Sequence, residues 1–165
     1  MRHLINTPNR TSIEPRPAQR GPTSLPFKTL APSARPAPSI YVVDDEVQLT
    51  GLYTLLLEAE GYHVASFNDR SAALAALREQ KPAPDLLITD YSGLSMPVDE
   101  FLQQCLAMVP GLRILMVSGF NETNMHFGLV RPDRFIEKPF AIEEFTQEVN
   151  AVLASHDPFQ RSSHL

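Results

Sequence analysis

Three short, unbroken apolar runs constrain this chain most: IYVV (Ile40–Val43), LLI (Leu86–Ile88) and ILMV (Ile114–Val117). Runs of this length, bounded by charged and turn residues, suit strands covered on both faces. HVASF (63–67) and RFI (134–136) read as two more strands, more polar, as strands at sheet edges are. Helical periods lie between them. Leu49, Leu52, Tyr53 and Leu56 fall at i, i+3, i+4 and i+7, with Gly61 where a C-terminal cap would sit. SAALAALRE (71–79) is rich in helix formers and follows Asn68 and Asp69, two N-cap candidates. Phe101, Leu102, Cys105 and Leu106 share one face of a third helix, and a weaker fourth is expected over about 121–129. A fifth begins near Pro139, with Ile142, Phe145, Val149, Val152 and Leu153 as its stripe. Strands alternating with helices make a parallel sheet wound by right-handed crossovers, so an α/β domain is expected over 39–155.

The remainder of the chain is of another kind. Residues 1–38 hold eight of the fifteen prolines and carry a charge balance of +5, while residues 39–165 carry −10. Proline removes backbone donors and turns its neighbour away from helix, and few large apolar residues are present to offset the entropy of ordering. A disordered, proline-rich basic tail is therefore expected over 1–38, and a short C-terminal tail over 156–165. No apolar stretch of signal-peptide length follows Arg2, and no run approaches a membrane span. The net charge of −5 argues against nucleic-acid binding by the whole chain, although the basic tail could contact nucleic acid or an acidic partner. One cysteine, Cys105, excludes an intrachain disulfide and a thiolate-rich zinc site, which makes the cytoplasm the expected compartment.

In open parallel sheets the reactive groups gather at the carboxyl ends of the strands. Those ends carry Asp44, Asp45 and Glu46, then Asp90, then Ser118 and Gly119, then Lys138 and Pro139. Clustered carboxylates repel unless a cation intervenes, and a hard divalent ion with oxygen ligands, Mg²⁺ above all, suits them. One carboxylate can then act as nucleophile toward phosphorus, while the metal, Lys138 and Ser118 stabilise the phosphoryl oxygens. Each group alone has an ordinary structural role: a helix cap, a loop acid, a turn, a helix start. Their joint placement at four strand ends is what points to chemistry.

With DDE at 44–46, LLITD ending at Asp90, VSGF at 117–120 and FIEKPF at 135–140, the chain from Ser39 to about Ala154 resembles the receiver domain of two-component response regulators. The resemblance implies a flavodoxin-like, doubly wound, five-stranded parallel sheet of order 2-1-3-4-5. It also implies Asp90 as phospho-acceptor, with Asp45 as direct metal ligand, Asp44 as its partner and the Ser92 backbone carbonyl as a third protein ligand. Ser118 would close on the phosphoryl group, Lys138 would match the family's lysine, and Phe135 the aromatic switch position. Departures occur in the loop after Asp90, where Gly93 and Leu94 replace a frequent Met-Pro, and between Ser118 and Lys138, about two residues shorter than usual.

The expected function is a phosphorylation-controlled switch rather than an enzyme with a separate substrate. A histidine kinase or phosphotransfer protein would donate phosphate to Asp90 with Mg²⁺ bound. Output would pass to another protein, by phosphorelay, or through a homodimer on the face of helix four, strand five and helix five. About ten residues follow the fifth helix, too few for an effector domain, and a piece of a larger hybrid kinase fits equally. The alternatives are a receiver-fold scaffold that does not use phosphate and an Asp/Mg²⁺-dependent phosphohydrolase. The hydrolase typically needs a second acid two residues after its nucleophile, where this chain has Ser92.

Overall fold

A computed structural model describes residues 36–79, 83–93, 95–121, 125 and 127–155. The expected tails at 1–38 and 156–165 thus lie outside the described residues, apart from 36–38. Nine elements follow in order: β1 (Ser39–Val43), α1 (Val47–Ala59), β2 (His63–Phe67), α2 (Arg70–Glu79), β3 (Leu86–Asp90), α3 (Val98–Met108), β4 (Arg113–Ser118), β5 (Arg134–Glu137) and α4 (Ile142–Ala154). The five strands form one sheet of order β2-β1-β3-β4-β5 with every pairing parallel. The expected architecture is met, with the polar strands β2 and β5 at the edges.

Strand alternation divides the core into two layers. Ile40, Val42, Leu86, Ile88, Leu115, Val117 and Ile136 face α1 and α4, meeting Tyr53, Leu57, Phe145, Val149 and Val152. Tyr41, Val43, Leu87, Ile114 and Met116 face α2 and α3, meeting Leu74, Leu77, Phe101, Leu102 and Cys105. Burying each large aliphatic side chain contributes about 1.5–3 kcal/mol, which is why β1, β3 and β4 need apolar residues on both faces.

Local signals hold where they are chemical. Asp69 caps α2, its carboxylate accepting from the Ala72 amide at 3.1 Å. Gly61 ends the α1 turn with φ +91°. The α1 face differs from the expected stripe: Thr50, Tyr53 and Leu57 are buried, whereas Leu52 is 42% exposed. Leucines lie almost all round this helix, so its period does not select a face. Ile142 likewise turns outward from α4.

Two expectations are corrected. Residues 121, 125 and 127–129 are not helical, so the fourth helix expected at 121–129 is not formed there. Tertiary ties compete with it: the Gly128 amide donates to Asp99 Oδ1 at 2.9 Å, and the Phe127 ring meets Tyr91 edge-on at 5.9 Å. The face proposed for a homodimer therefore consists, among the described residues, of β5, α4 and an irregular segment. The last helix begins at Ile142 rather than near Pro139. Phe140 is held back by stacking on Phe145 at 5.7 Å and on Tyr53 at 6.1 Å, and Ala141 stays extended.

Candidate functional site

Parallel pairing brings the carboxyl ends of β1, β3, β4 and β5 to one rim. β1 places Asp44 just past Val43, where it is buried at 2% exposure. Its Oδ1 accepts from the Glu46 amide at 2.9 Å, and its Oδ2 meets Lys138 Nζ at 2.9 Å. The Asn68 amide group supports this turn, donating to the Asp44 carbonyl at 2.9 Å and to Thr50 Oγ1 at 3.2 Å. Asp44 is thus more than a cap for α1, whose N-cap residue, Glu46, makes no side-chain capping bond.

Asp90 ends β3 and is 6% exposed. Its Oδ1 lies 3.1 Å from Lys138 Nζ, and its Oδ2 accepts from both the Ser92 amide (2.8 Å) and the Ser92 hydroxyl (3.1 Å). Lys138 therefore bridges two carboxylates from two different strands. Burial alone would lower the pKa of its ammonium, but the hydrogen bonds to Asp44 and Asp90 and their charges outweigh that and raise it above the ordinary value.

Ser118 ends β4, fully buried, with its Oγ accepting from the Phe120 amide at 3.0 Å. Its carbonyl accepts from the Lys138 amide at 2.7 Å, which ties the hydroxyl-bearing strand to the lysine-bearing one. Phe135 is half-buried on the α2/α3 side of the sheet. It pairs with Met116, so it shares a sheet face with Ser118 but lies two register positions back from it.

Asp45 is exposed and points elsewhere. A β-carbon on Gly93 would stand 2.6–2.9 Å from its carboxylate, so that carboxylate lies against the Gly93 backbone. Glycine is required here both by this approach and by a φ of +80°. Asp44, Asp45, Asp90 and the Ser92 carbonyl offer only hard oxygen donors, a set that suits Mg²⁺. As placed, no three acidic, histidine or cysteine side chains among the described residues close around one point. Asp44 and Asp90 converge on Lys138, while Asp45 leans on the loop that carries the Ser92 carbonyl.

Two groups were not foreseen as part of the site. Asn68 was expected only as a helix cap, and Arg70 carried no expectation. Arg70, at 1% exposure, extends beneath the loop after Asp90. It donates to the carbonyls of Asp90 (2.6 Å), Tyr91 (3.2 Å) and Met96. Cys105 is buried on the inner face of α3, and burial pushes its thiol up to about 12, which suits packing and not nucleophilic work.

Comparison with known proteins agrees with the fold. The family model described as "Response regulator receiver domain" matches residues 40–150. The probable transcriptional regulatory protein TcrX of Mycobacterium tuberculosis is 32% identical over 120 residues, covering 70% of this chain and 49% of that protein. The DNA-binding response regulator MtrA of Mycolicibacterium paratuberculosis is 34% identical over 122 residues, covering 72% and 52%. The chain thus spans about half the length of these curated relatives. Among solved structures, a CheY-like response regulator receiver domain from Methanospirillum hungatei superposes with a TM-score of 0.64 at 25% identity, covering 71% of this chain and 94% of that one. The response regulator TrrA of Thermotoga maritima, in complex with Mg²⁺–BeF, shares the fold with a TM-score of 0.61 at 21% identity, covering 70% and 98%.

Proposed function

The chain belongs to the response regulator receiver domain family of two-component signalling, and from that premise we propose that Asp90 accepts a phosphoryl group from a histidine kinase or phosphotransfer protein. The observation that carries this reading is the buried Asp44–Lys138–Asp90 bridge at the carboxyl ends of three strands. A carboxylate oxygen of Asp90 attacks phosphorus as the phosphorus–nitrogen bond of the donor's phosphohistidine breaks. The imidazole nitrogen leaves with the bonding pair and takes a proton from solvent. An acyl phosphate results, and hydrolysis returns the Asp90 carboxylate and inorganic phosphate. Bound Mg²⁺, held by Asp44, Asp45, Asp90 and the Ser92 carbonyl, would supply positive charge to the phosphoryl oxygens. Lys138 stands ready to take up an oxygen of the new group, and the Ser118 hydroxyl, which accepts from the Phe120 amide, can donate its proton to another oxygen.

The self-catalysed step needs no separate substrate site, so the chain is read as a switch and not as an enzyme in its own right. The added charge favours whichever arrangement of Ser118, Lys138 and Phe135 binds it better. Output then passes to a downstream protein or along a phosphorelay. The family segment 39–155 is the working unit, with 1–38 and 156–165 as tails, and the cytoplasm as its compartment. Among the described residues no helix is long and apolar enough to cross a membrane. A homodimer would form on β5 and α4 with the segment between β4 and β5.

The test is labelling with acetyl phosphate and Mg²⁺, read by intact mass. The parent should gain one phosphoryl group, and Asp90→Asn should gain none, because an amide is a poor nucleophile toward phosphorus. Equal labelling of both would move the acceptor elsewhere. A folded parent that takes no label would favour the scaffold reading.

A further inference from the structure

Arg70 is the largest of the fully buried side chains. It begins α2, where the positive end of the helix dipole disfavours a cation. Burial lowers its pKa, and Asp90 and Asp45 only partly oppose that. A buried charge must have its N–H groups satisfied by hydrogen bonds, so the partners of Arg70 show what it engages. Its guanidinium donates to backbone carbonyls of one loop: Asp90 and Tyr91 at the start, Met96 at the end. Its guanidinium carbon also lies over the Phe101 ring of α3, 5.7 Å from the centroid. Its Nε has no acceptor among the described residues.

The loop needs such a hold. It contains Gly93 at φ +80°, a residue with much freedom to lose. Outside, it is tied by Ser92 to Asp90 Oδ2. The Ser95 hydroxyl also donates to Asp69 Oδ1 at 3.3 Å, and the Tyr91 amide to the Val117 carbonyl at 3.2 Å. Beneath the loop, Arg70 reaches carbonyls at both ends of the span at once. We propose that Arg70 is a positioning residue for the phosphoryl site, fixing the β3–α3 loop so that the Asp90 carboxylate and the Ser92 carbonyl keep one geometry. This rests on Asp90 and Ser92 having the roles given above. An ammonium could not do the same work, because only a planar fork with several N–H groups spans separated carbonyls.

The experiment compares the parent with Arg70→Met, which keeps the length and apolar stem, and with Arg70→Lys, which keeps the charge. Two quantities are read well below the melting temperature: amide exchange of Ser92 and Gly93 without metal, and the Mg²⁺ dissociation constant from an NMR titration. In Arg70→Met, the loop amides should exchange at least about tenfold faster while the β1 and β3 amides keep their protection. The Mg²⁺ constant should rise about tenfold or more, as when a group behind a metal ligand is lost. Arg70→Lys should fall between the two. Parental exchange and Mg²⁺ affinity in Arg70→Met, with only a lower melting temperature, would reduce Arg70 to a packing residue and overturn the proposal. Should Arg70→Met not fold, parental values in Arg70→Lys overturn it equally. If the parent takes no label at Asp90, the acceptor reading fails, and the metal-free exchange comparison still decides whether Arg70 holds the loop.

Discussion

Replacing Lys138 by methionine removes the cation that, among the described residues, bridges Asp44 and Asp90, and leaves the side-chain volume nearly unchanged. Contacts of 2.9 and 3.1 Å each carry a gross attraction of about 5 kcal/mol at an effective dielectric near 20. Most of that is offset by the cost of withdrawing the three charges from water. What remains in the variant is two carboxylates at 2% and 6% exposure without their counter-charge. Breaking a buried pair costs about 3–5 kcal/mol, and the 21% exposure of the Lys138 side chain places this site near the lower end. For a domain of this size, about 3 kcal/mol corresponds to a fall of roughly 10–15 °C in melting temperature. Mg²⁺ should return part of the loss, because a cation at the rim replaces the missing charge. An ion at about a hundred times its dissociation constant contributes about 2.7 kcal/mol. The assay is urea unfolding at neutral pH, parent against Lys138→Met, with and without Mg²⁺. The sign with pH follows from the raised pKa of Lys138: its contribution is fully present below the ordinary value of 10.5 and lost as pH rises through the higher folded value. The gap between parent and variant should therefore stay constant from neutral pH to about 10. A loss below about 1 kcal/mol, or an equal Mg²⁺ gain in both proteins, would refute the bridge as the organising contact of the site.

Asp45→Ala should abolish the Mg²⁺ titration while changing stability by no more than about 0.5 kcal/mol in the unfavourable direction, because Asp45 is exposed among like charges. Melting curves and an NMR titration check both halves, and an unchanged titration would remove Asp45 from the metal site. Phe135→Ala should leave labelling of Asp90 intact and cost about 2 kcal/mol, since the ring is half-buried against the α2/α3 layer. It should also weaken the beryllofluoride-induced NMR shifts across 140–153 and at residues 125 and 127–129. A full parental response would make Phe135 a packing residue only.

What the sequence made legible depended on how far apart in the chain the partners lie. Buried parallel strands declare themselves as continuous apolar runs, so β1, β3 and β4 were readable without reference to any other element. Asp44, Asp90 and Lys138 were readable as neighbours for the next reason: a parallel sheet sends every strand end to one rim, so residues far apart in the chain meet there. Helix faces were readable only where one face is apolar. α3 met its expected stripe, but α1 carries Leu49, Leu52, Leu55, Leu56 and Leu57, and burial of Tyr53 beside Phe145 chose among them. The helix expected at 121–129 failed because its competitors are distant: Asp99 on α3 takes the Gly128 amide, and Tyr91 takes the Phe127 ring. Arg70 and Asn68 were illegible for the same cause in a stronger form. Arg70 meets carbonyls 20, 21 and 26 residues away, and Asn68 a carbonyl 24 residues away. A backbone carbonyl has no residue type, so no pattern of side chains can announce that contact. In this chain the groups proposed to react are written at the strand ends, whereas the groups that hold the loops around them are visible only once the loops are in place.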